Sequence, residues 1–251
     1  MKNLKISIIT VCFNAVNTVE NSIKSVITQK YSNIEYIFID GKSNDGSLDI
    51  IYKYQKFFSY FVSEKDNGIY DAMNKGIARA TGDFIYFLGA DDILKDNIIK
   101  EIIPYLNSNF NCVHYGQVLL EPSYKLFGGK FSKWRLIHQN IAHQSIFYPA
   151  NVFIDKKYNE KYKIVADWDF NLYLMSKKIK FKYNGLIIAS FNTHGISKHG
   201  DNTFQKERRK IVKEYFGIIE WIFLIIGIQI PISILNFIIT KYYKMKKFFN
   251  I

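Results

Sequence analysis

The chain opens with a regular alternation of short apolar runs and longer segments that carry a helical stripe. Residues 6–11 are a β-branched run and predict a buried strand. Over 16–29, Val19, Ile23, Val26 and Ile27 fall on one helical face. A second strand is predicted over 35–39, running into Asp40, followed by a loop over 41–46 and a helix over 47–55. Residues 60–63 predict a third strand. Ile69, Met73, Ile77 and Ala80 share one face of a helix that Thr81-Gly82 stops, and 83–88 predict a fourth strand. Strands alternating with helices imply an α/β fold with a mostly parallel, Rossmann-like sheet flanked by helices. In such sheets ligands bind beyond the carboxyl ends of the strands. Three of the predicted strands run into acids: Asp40, Glu64 with Asp66, and Asp91 with Asp92. These carboxylates should gather along one edge.

From about residue 111 the pattern weakens into aromatic-rich segments, which predict a second lobe closing over the same edge. The expected organisation is a ligand-binding half over 1–110, a second half over 111–205 that completes the site, and a C-terminal tail over 206–251. Within the tail, 221–240 contains no charged residue and is long enough in principle to span a bilayer, which takes roughly 20 residues. Both flanks are basic, with Lys206, Arg208, Arg209, Lys210 and Lys213 before and Lys241, Lys244, Lys246 and Lys247 after. A single span would put one basic flank outside, and Pro231 breaks the segment near its middle. The expectation is a membrane-associated helical hairpin with both flanks cytoplasmic. A helix pair packed on protein or in an oligomer is the alternative.

Composition narrows the class. The 251 residues are 48% hydrophobic, enough for a full core, and the 22% charged content does not suit a disordered chain. The net charge of +12 suits nucleic acid, an anionic membrane surface or a phosphorylated substrate, without choosing among them. Cys12 and Cys112 are far apart in apolar contexts, so neither a disulfide framework nor a metal-ligand spacing is expected. The first nine residues are too short and too polar for a signal peptide, which makes the cytoplasm the default. A cluster of carboxylates needs cations nearby, and a divalent metal (Mn²⁺ or Mg²⁺) carrying a diphosphate meets that need. Neither a P-loop nor a Gly-x-Gly-x-x-Gly after the first strand is present.

Four segments then follow in order: 8–14 (IITVCFN), 38–47 (FIDGKSNDGS), 63–76 (SEKDNGIYDAMNKG) and 80–92 (ATGDFIYFLGADD). Together they resemble the family 2 glycosyltransferases, which have the GT-A fold and invert the anomeric centre, here of the bacterial surface-polysaccharide type. The resemblance implies that Thr10, Val11 and Asn14 border the nucleotide, that Asp40 accepts from the base, and that Asp66 lies near base and ribose. It implies that Asp71, Asn74 and Gly76 shape the donor pocket, with Ala90 and Asp91 in the Asp-x-Asp-type motif. Asp91, joined by Asp92, is the expected metal ligand. The motif's first acid is replaced by Gly89.

Later, Ala166-Asp167-Trp168-Asp169-Phe170 is similar to the family's Glu-Asp segment, which implies that Asp167 is the catalytic base and puts Trp168 and Asp169 on the acceptor side. His143-Gln144 resembles a His-Gln segment lining the acceptor side. His194, before Gly195-Ile196-Ser197, replaces the first glycine of a Gly-Gly-x-Ser loop, and His194 or His199 is placed near diphosphate or metal. Simpler readings stand beside these. Asp40 suits a turn, Asp91-Asp92 a helix cap, and Asp71 with Lys75 an exposed helix pair. The implied partners are a nucleotide-sugar donor, a lipid-linked or glycan acceptor and the membrane surface, with no nucleic acid and an oligomer left open. A nucleotidyltransferase sharing the acidic edge, or a non-catalytic nucleotide-binding protein docked on the membrane, is the alternative.

Overall fold

The computed structural model describes residues 2–193, 195 and 201–226. The expectations for His194, His199 and the tail beyond residue 226 lie outside the described residues. Met1–Arg208 form one compact unit and Arg209–Ile251 another.

The apolar runs of the first half become β1 (Ile6–Cys12), β2 (Ile34–Asp40), β3 (Tyr60–Ser63) and β4 (Phe84–Gly89). The helices between them are α1 (Val19–Ile27), α2 (Ser47–Lys53) and α3 (Ile69–Ile77). All four strands pair in parallel, in the order β3-β2-β1-β4. Alternation then sorts the side chains. Ile6, Ile8 and Cys12 share a core with Val19, Ile23 and Val26 of α1 and with Ile98, Ile99, Ile102 and Leu106 of α4 (Ile98–Ser108). Ile9 points the other way, toward α3. A fully buried side chain of this size contributes about 1.5–3 kcal/mol, and these positions are fully or almost fully buried. Helices on both faces explain why the strands read as continuous apolar runs.

The second half does not close over the edge as a separate lobe. It extends the same sheet. β5 (Ile93–Leu94), β6 (Val113–Glu121), β7 (Lys125–Phe127), β8 (Ile146–Pro149) and β9 (Phe181–Asn192) continue the order as β4-β8-β6-β9-β5, with β7 on β6. β8 runs antiparallel to β4 and to β6, whereas β9 runs parallel to β6. α5 (Lys133–His138) and α6 (Ala166–Ser176) complete this half. Many of its aromatic residues are core: Phe153 stacks on Phe170 at 4.7 Å, and Phe147 on Tyr86 of β4 at 4.7 Å.

α7 (Asn202–Phe216) runs into the second unit, which also holds α8 (Ile218–Ile226). Ile218, Ile222 and Ile225 lie on one face of α8 and are exposed at 55%, 40% and 43%. Among the described residues no helix is long and apolar enough to cross a membrane.

Candidate active site

Strand register brings the acids to one edge. Asp40 ends β2 opposite Cys12 of β1 and Ser63 of β3, and Val11 pairs with Gly89 at the end of β4. Asp40 is completely buried. It accepts from the Ser43 hydroxyl at 2.5 Å, the Ser43 amide at 3.0 Å and the Ser63 hydroxyl at 2.6 Å. It therefore fixes the 41–46 loop. Asn14, at a positive φ of 50°, accepts from the Asn44 amide and stitches the loop after β1 to the same turn. Asp66 lies against Gly41, beside Phe13, whose ring is 64% exposed. An accessible aromatic face beside carboxylates suits a nucleobase, and no pattern in the sequence marks Phe13 for that place.

After Gly89 the two acids diverge. Asp92 is 1% exposed and accepts from the Gly89 amide, the Gln144 side chain at 2.8 Å and the Asn192 amide at 3.1 Å. Both its oxygens are thus taken up in tying β4 to β9 and to the 143–145 turn. Burial and the neighbouring Asp91 charge push its pKa up to about 6. Expected beside Asp91 as a metal ligand, Asp92 instead braces the site, and Gln144 braces Asp92. Asp91 faces a cleft of about 230 Å³ together with Thr18, Asn21, Glu121 and Asn192. Burial raises the Asp91 pKa as well, a penalty that a cation would relieve. A Cβ on Gly89 would sit 2.6 Å from an Asp92 oxygen and 2.9 Å from an Asp91 oxygen. The space that the family's first acid would need is filled by these two carboxylates. Among the described residues no group of three or more His, Cys, Asp or Glu side chains gathers to hold a metal. The donor set fits a hard cation bound by one carboxylate, with the other ligands from a diphosphate and water.

Asp167 sits in the first turn of α6 and is 4% exposed. Its Oδ1 accepts from the Trp168 amide at 2.9 Å and the Tyr70 hydroxyl at 2.7 Å. Its Oδ2 accepts from the Asn140 amide group at 2.9 Å, with His143 Nδ1 at 3.6 Å. The Asn140 orientation is fixed from behind. Its carbonyl oxygen takes the Ile141 amide and the Asn171 amide group, and Asn171 in turn accepts from Tyr148. Tyr148 and Asn171 are completely buried, so the chain of oriented dipoles acts in a low dielectric. Burial works against charge on His143, but the Asp167, Asp92 and Asp91 carboxylates outweigh it and raise its pKa. The imidazole therefore stands between the proposed base and the acid edge.

Several expected pocket residues have other work. Thr10 is completely buried and its hydroxyl pairs with Tyr36, so its side chain does not border the open edge. A Cβ on Gly76 would lie 2.4 Å from Ile9, so this glycine lets α3 approach β1 and lines no pocket. Asn74 holds both backbone groups of Tyr158 and reaches Glu160, strapping the segment before α6 onto α3. Asp71 accepts from the Asn67 amide. Trp168 donates to the Leu136 carbonyl and packs on Phe204, and Asp169 pairs with Lys156 at 2.9 Å. Both are buried, and neither offers an open acceptor face. Val11 and Ala90 are buried, 8% and 6% exposed. Tyr70, Asn140, Asn171 and Tyr148 were not foreseen, because only the fold brings them to Asp167.

Residues 7–164 match the family model described as glycosyl transferase family 2. The PGL/p-HBAD biosynthesis glycosyltransferase of Mycobacterium tuberculosis is 32% identical over 201 residues, covering 75% of this chain and 77% of that protein. An uncharacterized glycosyltransferase of Haemophilus influenzae is 28% identical over 192 residues, 66% of this chain and 58% of that one. Among solved structures, S. aureus TarS in complex with UDP-GlcNAc aligns with a TM-score of 0.70 at 15% identity, over 84% of this chain and 65% of that chain. Mannosyltransferase PcManGT from Pyrobaculum calidifontis, in complex with GDP-Man and Mn²⁺, aligns with a TM-score of 0.64 at 11% identity, over 86% and 64%. At such identities the two structures speak to the fold alone.

Proposed function

The chain belongs to glycosyl transferase family 2 and is a glycosyltransferase of the GT-A fold, and from that premise we propose that it is an inverting enzyme using a UDP-sugar. The donor would lie along the edge from Asp66 and Phe13, at the base, to Asp91, at the diphosphate. The UDP assignment leans on the UDP-GlcNAc complex of TarS. The sugar is assigned only as a hexose or N-acetylhexosamine. Asp91 would hold a divalent cation, Mn²⁺ or Mg²⁺, which when bound offsets negative charge on the diphosphate.

The observation that carries the reading is the Asp167 carboxylate, fixed by directed donors on both oxygens within reach of His143. Asp167 takes the proton of the acceptor hydroxyl, whose oxygen attacks the anomeric carbon. The bond from that carbon to the diphosphate oxygen breaks, and UDP leaves with the electron pair. General-base help of this kind contributes typically 10²- to 10⁴-fold. Asp167→Asn should therefore lower UDP release with Mn²⁺ by about that factor, while the donor still raises the melting temperature. Full turnover in Asp167→Asn would remove Asp167 as the base.

The acceptor we propose is a lipid-linked saccharide of surface-polysaccharide assembly, met at the inner face of the cell membrane. Support comes from the exposed isoleucines of α8 and from the charge-free stretch over 221–240 between basic flanks.

A further inference from the structure

Three hydrogen-bond donors meet Asp167, and they are not equivalent. The Trp168 amide and the Asn140 amide group can only donate, so they suit a carboxylate. The Tyr70 hydroxyl can donate or accept. It lies 2.7 Å from Asp167 Oδ1 and 2.8 Å from the Ile164 carbonyl oxygen, and it has one proton for two acceptors. Tyr70 is 4% exposed, so no bulk water competes for that proton. Burial, then the Asp167 charge, push its phenol well above its usual range, so the O–H is retained.

We infer that Tyr70 is a positioning residue that holds the general base in both of its protonation states. The inference rests on the reading of Asp167 as the base. Before reaction, the Tyr70 O–H points to Oδ1 of the carboxylate. Once Asp167 has taken the acceptor's proton on Oδ2, Oδ1 is a neutral carbonyl oxygen that still accepts from the Tyr70 O–H, now shared with the Ile164 carbonyl. No bond to Tyr70 hydrogen is broken, and the transferred proton stays on Asp167. The base keeps its place on α6 through the cycle, and α3 of the donor half supplies the group that holds it.

The titratable groups that face Asp167 are Tyr70 from α3, His143 from the turn before β8, Tyr148 from β8 and Tyr158 from the strap. Of these, Tyr70 is the one whose hydroxyl bonds the carboxylate directly, and Phe removes that hydroxyl without changing the ring. A hydrogen bond to the charged form is stronger than one to the neutral form. In Tyr70→Phe the acidic limb of the kcat profile should move to higher pH by roughly half a unit or more. The reaction followed is UDP release to water, with saturating Mn²⁺ and the UDP-sugar that most raises the melting temperature. The donor KM should hold. Placing 3-fluorotyrosine at position 70 strengthens the donor, and the limb should move to lower pH. A packing role would lower the melting temperature of Tyr70→Phe and leave both limbs where the wild type has them. An unmoved limb in Tyr70→Phe overturns the inference. If that variant does not fold, an unmoved limb with 3-fluorotyrosine overturns it. Full turnover in Asp167→Asn would instead sink the reading of Asp167 as base, so the two failures are distinguishable.

Discussion

Glu35 shows how a single carboxylate can anchor the sheet at the end away from the chemistry. It sits opposite Ser7 in the β1–β2 register and accepts from Lys5 at 2.6 Å, Ser7 at 2.6 Å and the Thr81 amide and hydroxyl at 2.7 and 2.5 Å. Burial alone would raise its pKa, but these donors outweigh it and bring it from 4.5 down to about 2. A depressed carboxylate stabilises the fold above its unfolded pKa, and that stability is lost as the pH falls through the folded value. The contribution is at most about 3 kcal/mol above pH ~4.5, less where water screens it, and fades toward pH ~2. Urea unfolding should therefore find Glu35→Gln clearly weaker than wild type at pH 6, with the gap closing near pH 2. A gap that stays constant across that range would show that ionisation is not what Glu35 contributes. None of this was legible in the sequence, where Glu35 reads as the start of a strand. Lys5, Ser7 and Thr81 reach it only through register. The same holds at the proposed site: a motif marks Asp167 in the sequence, but Tyr70 and Asn140 lie far from it along the chain.

At the scale of elements, the parallel half was legible because each of its segments has one clear period. β1, β2 and β4 are continuous apolar runs, and α1 and α3 carry single stripes. α6 has no such stripe. It is buried almost all round, with Asp167, Asp169 and Asn171 as enclosed as Phe170 and Leu172, so no polar face marks it as a helix. The later strands were hidden for a related reason. β6 and β9 pair across a long separation and with register shifts near Tyr115 and Gln117, which blur the two-residue alternation. The contact between α3 and β1 gives a direct test. A methyl on Gly76 would press into Ile9 and force α3 away from the sheet. Overpacking of this kind costs about 1–3 kcal/mol, and Gly76→Ala should lower the melting temperature accordingly. Because α3 also carries Tyr70 and Asn74, the same variant should slow turnover by more than its loss of folded population. A Gly76→Ala protein with unchanged melting temperature would mean that α3 is not tightly seated.

For the molecule as a whole, the charge of +12 bears on the proposed meeting with a membrane. Arg209, Lys210 and Lys213 are exposed on α7, and Ile218, Ile222 and Ile225 are exposed on α8. Basic residues beside an exposed apolar face are the combination by which a helix lies in the interface of an anionic bilayer. Each Lys or Arg near such a surface contributes about 1 kcal/mol, and salt screens it. The apolar face adds a part that salt does not weaken. The full chain should therefore co-sediment with vesicles containing phosphatidylglycerol and less with phosphatidylcholine alone. Salt at about 0.5 M should reduce the binding without abolishing it, because charge at that strength is screened within a few ångströms. Replacing Ile218, Ile222 and Ile225 together with serine should remove the salt-resistant part and leave UDP release to water unchanged. Such a variant would separate membrane binding from the chemistry proposed at Asp167. Equal binding to both vesicle types would take the charge out of the account, a triple variant that still binds at high salt would take out α8, and no binding to either would leave α8 to a protein partner.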